Sequence, residues 1–260
     1  MSATGASPVN ITPPYGYQEV VPLTKTHTVV LPADRKLPTL FRQLTAMPLS
    51  FTEFAFAMRD YPIAFISGDQ GNSYVAMVLV GLTPQQNLFV AEDDSWDAHT
   101  YMPAYVRRYP FCMTRVSVDG NPRPERIACV EKRAVKARGE VLFDEQGNPT
   151  PVWESRQKLL FEFEADLAWT EDMCRQLKAL DLLEPFAAKA EPDGEEPITL
   201  TGINRVSEEK LHALPAETLK DLAQKGILSR VYTHLASLAN FQRLLDRRSQ
   251  RQTGSQKRSK

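Results

Sequence analysis

The chain has 260 residues, of which 42 % are hydrophobic and 24 % charged, and its formal net charge is −1. That composition supports a sizeable buried core and excludes global disorder, while the near-neutral balance lacks the basic excess that nucleic-acid-binding domains use. Three cysteines (Cys112, Cys129 and Cys174) without C-x-x-C spacing argue against a disulfide framework and against a structural zinc site.

Residues 1–16 read as a flexible leader. They lack the basic and apolar regions of a signal peptide. The segment 17–23 (YQEVVPL) is extended, with Pro22 confining it to an edge or an end. Prolines at 32, 38 and 48 predict loops and short strands. The pattern of 51–57 (FTEFAFA) is mixed. A compact apolar strand at 63–66, a Gly-Asp-Gln-Gly-Asn turn at 68–72 and a returning strand at 74–81 predict a hairpin, and 87–90 (NLFV) would extend it to a meander.

Within 96–111 (WDAHTYMPAYVRRYPF), Tyr101, Tyr105 and Arg108 recur at spacings of four and three. They predict a short helix over 102–108 with Pro103 in its first turn, ended by Pro110. Strands follow at 111–118, 127–130 and 141–143, with a turn at 121–124 and a strong loop at 144–149. From 152 to 183 the apolar residues fall at helical spacing, and Glu184-Pro185 stops the run. An acidic turn is expected at 192–197. The β-branched, alternating 198–203 (ITLTGI) should add a strand to the earlier sheet. Ser207 is a candidate N-cap, Pro215 a first helical position and Gly226 a left-handed helix end. A last helix capped by Ser229 carries Val231, Leu235, Leu238, Phe241 and Leu245 on one stripe. Six basic residues and one acid between Asp246 and Lys260, without a large apolar side chain, predict a disordered basic tail.

The resulting fold class is α+β: an N-terminal, mainly antiparallel β region with a short helix, then a helical C-terminal half contributing one strand. The domain reading is a single domain over 17–245, β-rich to 150 and helical beyond. The longest apolar run, 74–82, is far below the ~20 residues of a spanning helix. A soluble protein of the cytoplasm is therefore expected, with the cell surface reached by a signal-peptide-independent route as the alternative.

No catalytic, metal or nucleotide motif stands out. Asp97 and His99 appear in the reverse of the order that an iron-binding H-x-D pair takes. Gly68 and Gly71 lie in a hairpin turn and not between a strand and a helix, and no G-x-S-x-G is present. Arg107 and Arg108 precede Cys112 and would lower a thiol pKa, but Cys112 sits in a predicted strand, where a buried inert thiol is the plainer expectation. His234 on an apolar helix fits a core hydrogen-bonder. The cluster of Trp96, Asp97, Tyr101, Tyr105, Arg107, Arg108 and Tyr109 interleaves aromatic rings with arginines. Such a cluster either holds a carboxylate or phosphate, or is an amphipathic helix that buries its rings.

Several blocks in this order resemble the bacterial SapC family: 17–23, R-D-Y-P-I-A-F (59–65), N-L-F-V (87–90), the 96–111 block, L-F-D-E-Q-G-N-P-T (142–150), L-T-G-I-N-R-V-S-E-E-K-L-H-A-L-P (200–215) and Y-T-H-L-A-S-L-A-N (232–240). The resemblance spans nearly the whole chain. One segment departs from it: where the family carries an acidic L-C-I-D-E-D-S-like stretch, this chain has A-C-V-E-K-R-A at 128–134. The family label, from a bacterial surface-layer gene cluster, implies a cell-surface accessory; members are also described as peptide-transport components. The resemblance thus implies a non-catalytic accessory or binding protein for a small anionic, amino-acid-like or peptide-like ligand, or for a protein partner. The seven clustered residues form its expected site, with His99, Arg205 and His234 as secondary candidates. No cofactor, no metal and no specific nucleic acid are expected, and the basic tail would touch anionic surfaces weakly. The alternatives are a small-molecule enzyme using Asp97, His99 or His234 as acid or base, and a structural protein of the surface layer.

Overall fold

The structure, a computed structural model, describes residues 9–118, 121–190 and 198–258. Its strands are β1 (Val9–Ile11), β2 (Val20–Pro22), β3 (Thr28–Val29), β4 (Ala46–Pro48), β5 (Ile63–Gly68), β6 (Ser73–Leu79), β7 (Phe111–Val118), β8 (Asn121–Glu131), β9 (Glu140–Val141), β10 (Leu183–Ala190) and β11 (Ile198–Val206). The α-helices are α1 (Phe54–Ala57), α2 (Ala104–Arg107), α3 (Pro151–Ala179), α4 (Glu208–His212), α5 (Ala216–Gln224), α6 (Ile227–Ser237) and α7 (Asn240–Arg258). Antiparallel sheets and a helical C-terminal half make an α+β fold. Contacts gather the chain into two compact units, 1–36 with 106–164 and 37–105 with 165–260. Each unit draws on both halves of the chain.

The first unit contains the antiparallel sheet β1-β7-β8-β2 and the small pair β3-β9. Val9–Ile11, expected within a flexible leader, pairs with β7, because its Val-Asn-Ile alternation suits an open sheet edge. The expected turn at 121–124 gives way to strand: Asn121 and Pro122 face Val118 and Ser117 in the β7–β8 register. β2 is shorter than 17–23, and bonds that involve side chains hold the residues before it. The Tyr17 hydroxyl donates to the Phe111 carbonyl at 2.7 Å, and Gln18 N–H donates to the Glu131 carboxylate at 3.0 Å. The core joins Val29, Phe111, Val130, Ala134 and Leu142 to Trp153 and Leu160 of α3. Trp153 meets Phe111 edge-on, with ring centres 5.0 Å apart.

α3 begins at Pro151, a residue suited to a first helical position because it has no N–H to leave unpaired. It ends earlier than 183. Asp181 takes a left-handed φ of 53°, and Leu182 N–H and Asp181 N–H bond back to the Leu177 and Lys178 carbonyls at 3.0 and 2.9 Å. This six-to-one and five-to-two pattern is a Schellman closure. It frees Leu183–Ala190 to become β10, a strand the helical spacing concealed.

The second unit is built on the antiparallel sheet β10-β11-β5-β6-β4. The predicted hairpin forms between β5 and β6, and β11 joins β5 through Ile203↔Ile66 and Asn204↔Phe65, as its β-branched alternation predicts. Residues 87–90 do not form the third strand of a meander; β4 occupies that edge. Asn87 is the reason: its Nδ2 donates to the Phe41 carbonyl at 2.9 Å and its Oδ1 accepts Phe89 N–H at 2.9 Å, folding the chain into an Asx-type turn. The acidic turn expected at 192–197 lies outside the described residues.

The last helix is two helices. Gly226, at φ 72°, lets α6 start at Ile227, earlier than Ser229. The chain then breaks before α7. Buried positions along the pair are Ile227, Val231, His234, Ser237, Asn240 and Leu244, at spacings of three and four. Three of them are polar, and each meets the backbone around β5. His234 Nδ1 lies 2.8 Å from the Ile63 carbonyl, and its Nε2 accepts Val206 N–H at 3.1 Å. Ser237 Oγ accepts Ile63 N–H at 2.9 Å and donates to the His234 carbonyl at 2.6 Å. That last bond draws on a carbonyl of the helix ladder, which favours the break. Asn240 Nδ2 donates to the Met58 and Tyr61 carbonyls at 2.6 and 3.1 Å.

α7 then continues as helix through Arg258, where a disordered tail from 246 was expected. Two arginines one turn apart hold it. Arg247 bonds the Asp97 carboxylate at 2.7 Å, and Arg251 donates to the Asn87 and Val90 carbonyls at 2.9 and 2.6 Å. Tertiary anchoring replaces the missing apolar residues.

Burial pushes the His234 imidazole down to about 4, against a weaker opposing pull from the Ile63 carbonyl. Its folded pKa is depressed, so its contribution is complete above pH 6.5 and is lost as pH falls from 6.5 through 4. The loss is on the order of 3 kcal/mol. Urea unfolding of the wild type and of His234→Leu from pH 7.5 to 4 should show two effects. The variant is less stable by about 3 kcal/mol at pH 7.5 because two buried backbone groups lose their partners, and the gap narrows toward pH 4.

Candidate functional site

The sequence cluster at 96–109 is divided. Trp96, Asp97, His99, Tyr101 and Tyr105 belong to the second unit, Arg107, Arg108 and Tyr109 to the first. In the first unit Arg108 is buried, 4 % exposed, and its guanidinium bonds Glu164 at 3.2 Å and stacks 4.9 Å over Phe163. Glu164 also takes Arg126, so one carboxylate faces two arginines. Tyr109 is buried beside Tyr17, with ring centres 5.5 Å apart, and burial raises its hydroxyl above the ordinary value. Arg107 is exposed. Cys112 is buried, and burial outweighs the nearby Arg108, pushing its thiol up to about 12.

In the second unit most of the aromatic residues are packing. Trp96 is buried, stacks on Phe89 at 6.1 Å and donates Nε1–H to the Tyr101 carbonyl at 3.2 Å. Tyr105 is buried. Tyr101 is half-buried; its hydroxyl donates to Glu53 at 2.8 Å, its N–H to Asp60 at 2.9 Å, and its ring stacks on Phe56 at 5.6 Å. Glu53 is a buried carboxylate that accepts Ser50 N–H at 3.1 Å, the Ser50 hydroxyl at 2.6 Å and Ala104 N–H at 2.6 Å. It carries the start of α2. The S-x-x-E capping box at 50–53 was the sequence signal for it.

His234 commits both ring nitrogens to backbone groups. Arg205 is exposed, pairs with Glu184 at 2.9 Å and lies 5.2 Å over Phe186. Among the described residues, no group of three or more His, Cys, Asp or Glu is placed to hold a metal ion. Also among them, no helix is long and apolar enough to cross a membrane.

Asp97 remains at an open surface. It lines a groove of about 400 Å³ with Leu88, Phe89, Ala91, Arg247, Gln250 and Arg251. One wall is the turn over 87–97. Leu88 N–H bonds the Val80 carbonyl at 2.7 Å, Asp97 N–H bonds the Phe89 carbonyl at 2.8 Å, and Val90 bridges Trp96. Asp93 closes the tip by accepting Ser95 N–H at 3.1 Å. The other wall is α7, whose Arg247 and Arg251 share a face at spacing four.

The groove is electrostatically mixed. Burial raises the Asp97 carboxyl, but the His99 N–H at 2.9 Å and the Arg247 guanidinium outweigh it and hold the group below its usual value. Asp97 is therefore an anion at neutral pH. The Arg247 guanidinium lies 4.2 Å over the Phe89 ring. Two bonds to carbonyls fix the direction of Arg251, which has five N–H donors. His99 is exposed beside Asp97. Sequence reasoning missed Arg247 and Arg251 because it assigned them to a disordered tail. Their i, i+4 spacing was the available signal.

The arginine contrast is testable by chemical denaturation. Arg108→Gln should cost about 2 kcal/mol of stability, because a buried ion pair loses a partner while Arg126 still faces Glu164. Arg107→Gln should stay within about 0.5 kcal/mol of the wild type.

No curated protein and no solved structure matches the chain. The model of the SapC family matches residues 25–244, most of the chain, including the His-Ser-Asn stretch of α6 and α7 and the whole 96–111 block. The chain belongs to the SapC family.

Proposed function

We propose that this protein is a non-catalytic binding protein of the SapC family, whose ligand is small and amino-acid-like or is the carboxylate-bearing end of a peptide. The single observation behind this reading is the groove that sets Asp97 against Arg247 and Arg251 beside an aromatic ring. A carboxylate would sit on the arginines, which offer planar, forked donors. An ammonium group would sit on Asp97. The accessory role is supported by family membership alone and stands as part of the same proposal. Acid–base catalysis has less support: both nitrogens of His234 are held by backbone, and the hydrogen bond between His99 and Asp97 is made by the His99 backbone N–H.

Thermal-shift and equilibrium-binding measurements across free α-amino acids, dipeptides and the corresponding decarboxylated amines test this directly. Compounds with a carboxylate should raise the melting temperature more than the amines, which keep only the contact to Asp97. Arg251→Gln should weaken binding about 10- to 100-fold, the loss of a charge-assisted bond of ~1.5–3 kcal/mol. An unchanged affinity in the Arg247→Gln, Arg251→Gln double variant, or no shift with any carboxylate compound, would contradict the proposal.

A further inference from the structure

The pairing of β7 with β8 sets Cys112 directly opposite Cys129. Glu131 N–H donates to the Pro110 carbonyl at 2.9 Å, which marks Pro110 and Glu131 as a hydrogen-bonded pair. Hydrogen-bonded and non-hydrogen-bonded pairs alternate along an antiparallel ladder, so Cys112 and Cys129, two residues on, are again a hydrogen-bonded pair. Such pairs hold their Cα atoms about 5.5 Å apart, inside the roughly 4.4–6.8 Å that a disulfide spans, while their Cβ atoms, toward the wide end of the roughly 4.5–5.5 Å of opposed pairs, must draw together to the roughly 3.5–4.5 Å of a disulfide. Directly opposed side chains leave the sheet on the same face, so the two thiols are neighbours. The register shift lies beyond them, between Arg115 and Ser117. Both cysteines are fully buried and both are free thiols.

We propose that Cys112 and Cys129 form a reversible cross-strand disulfide, a redox-modifiable site in the middle of the first unit's sheet. With hydrogen peroxide as oxidant the chemistry balances in two steps. The O–O bond breaks, one oxygen passes to the first sulfur as a sulfenic acid, and water leaves. The second sulfur then attacks the first: an S–S bond forms, the S–O bond breaks, and the hydroxyl leaves as a second water carrying the second thiol's proton. The two thiols lose two electrons and two hydrogens, and the peroxide is reduced to water.

Burial sets the rate. It pushes the Cys112 thiol up to about 12 and the Cys129 thiol up to about 11, so thiolate is scarce at neutral pH. Oxidation therefore waits on opening of the sheet. β2 is the strand to open, since it is three residues long and pairs Pro22 with Cys129 at the sheet edge. Cys174, in the part of α3 that belongs to the other unit, is an internal control.

The test uses the full chain treated with hydrogen peroxide, in buffer and again in urea below the unfolding transition. Remaining thiols are alkylated, and the protein is digested without reductant for mass spectrometry. The expected product is a Cys112 peptide joined to a Cys129 peptide, two hydrogens lighter than their sum and released by dithiothreitol, with Cys174 alkylated. A cross-link under either condition supports the site. If both cysteines are alkylated or singly over-oxidised under both conditions, or if either is joined to Cys174 or to another chain, the proposal is wrong.

Discussion

Three buried polar side chains at the end of the chain, His234, Ser237 and Asn240, hold the second unit together. They occupy one stripe with Ile227, Val231 and Leu244, and each is bonded to backbone at 58–63 or at Val206. An apolar stripe would pack the helices on the sheet with little directional preference. Hydrogen bonds to particular carbonyl and amide groups fix one register, because a slip would leave several buried polar groups without partners. The His-x-x-Ser-x-x-Asn spacing thus acts as a docking code. With α6 set in this way, α7 leaves in a defined direction and brings Arg247 and Arg251 to the turn over 87–97.

Carboxylates anchor the backbone and other side chains in a similar way elsewhere. Glu53 carries the approach to α2 by accepting bonds from Ser50, Tyr101 and Ala104. Glu131 receives Gln18 and Glu19 N–H groups and so sets the chain entering β2. Glu164 gathers Arg108 and Arg126. These charged groups are fastened to their own unit, and their hydrogen bonds and ion pairs report packing. The groove differs because Asp97, Arg247 and Arg251 border open space while already oriented by partners. Pre-oriented donors and an acceptor lower the ordering cost a ligand must overcome, which is the physical ground of the proposed binding role.

Much of the architecture was legible in the residues. The hairpin of β5 and β6 follows from Gly-Asp-Gln-Gly-Asn between apolar runs, and β11 from its β-branched alternation. Gly226 was readable as a left-handed position. What escaped had physical causes. β10 was hidden because α3 closes on Asp181, a left-handed residue other than glycine, and the apolar spacing ran past it. The strand expected at 87–90 was lost to Asn87, whose side chain makes a turn that apolar content does not reveal. The tail at 246–258 has too little apolar surface to predict a helix, and partners in the fold, among them the Asp97 carboxylate and the Asn87 and Val90 carbonyls, stabilise it. Of the candidate site, Asp97 was visible in the sequence. Trp96, Tyr105, Arg108 and Tyr109 were conspicuous for another reason: aromatic rings beside arginine also make good cores.

The claim that the His-Ser-Asn stripe anchors the second unit is tested most directly by native-state hydrogen exchange at the Ile63 and Val206 amides. These N–H groups donate to Ser237 Oγ and His234 Nε2. The account predicts that both exchange only with global unfolding of that unit, their opening free energy following denaturant with the full slope, and that amides in the first turns of α7 open at or below that level. Exchange of Ile63 and Val206 by local fraying, with no denaturant dependence, would contradict it.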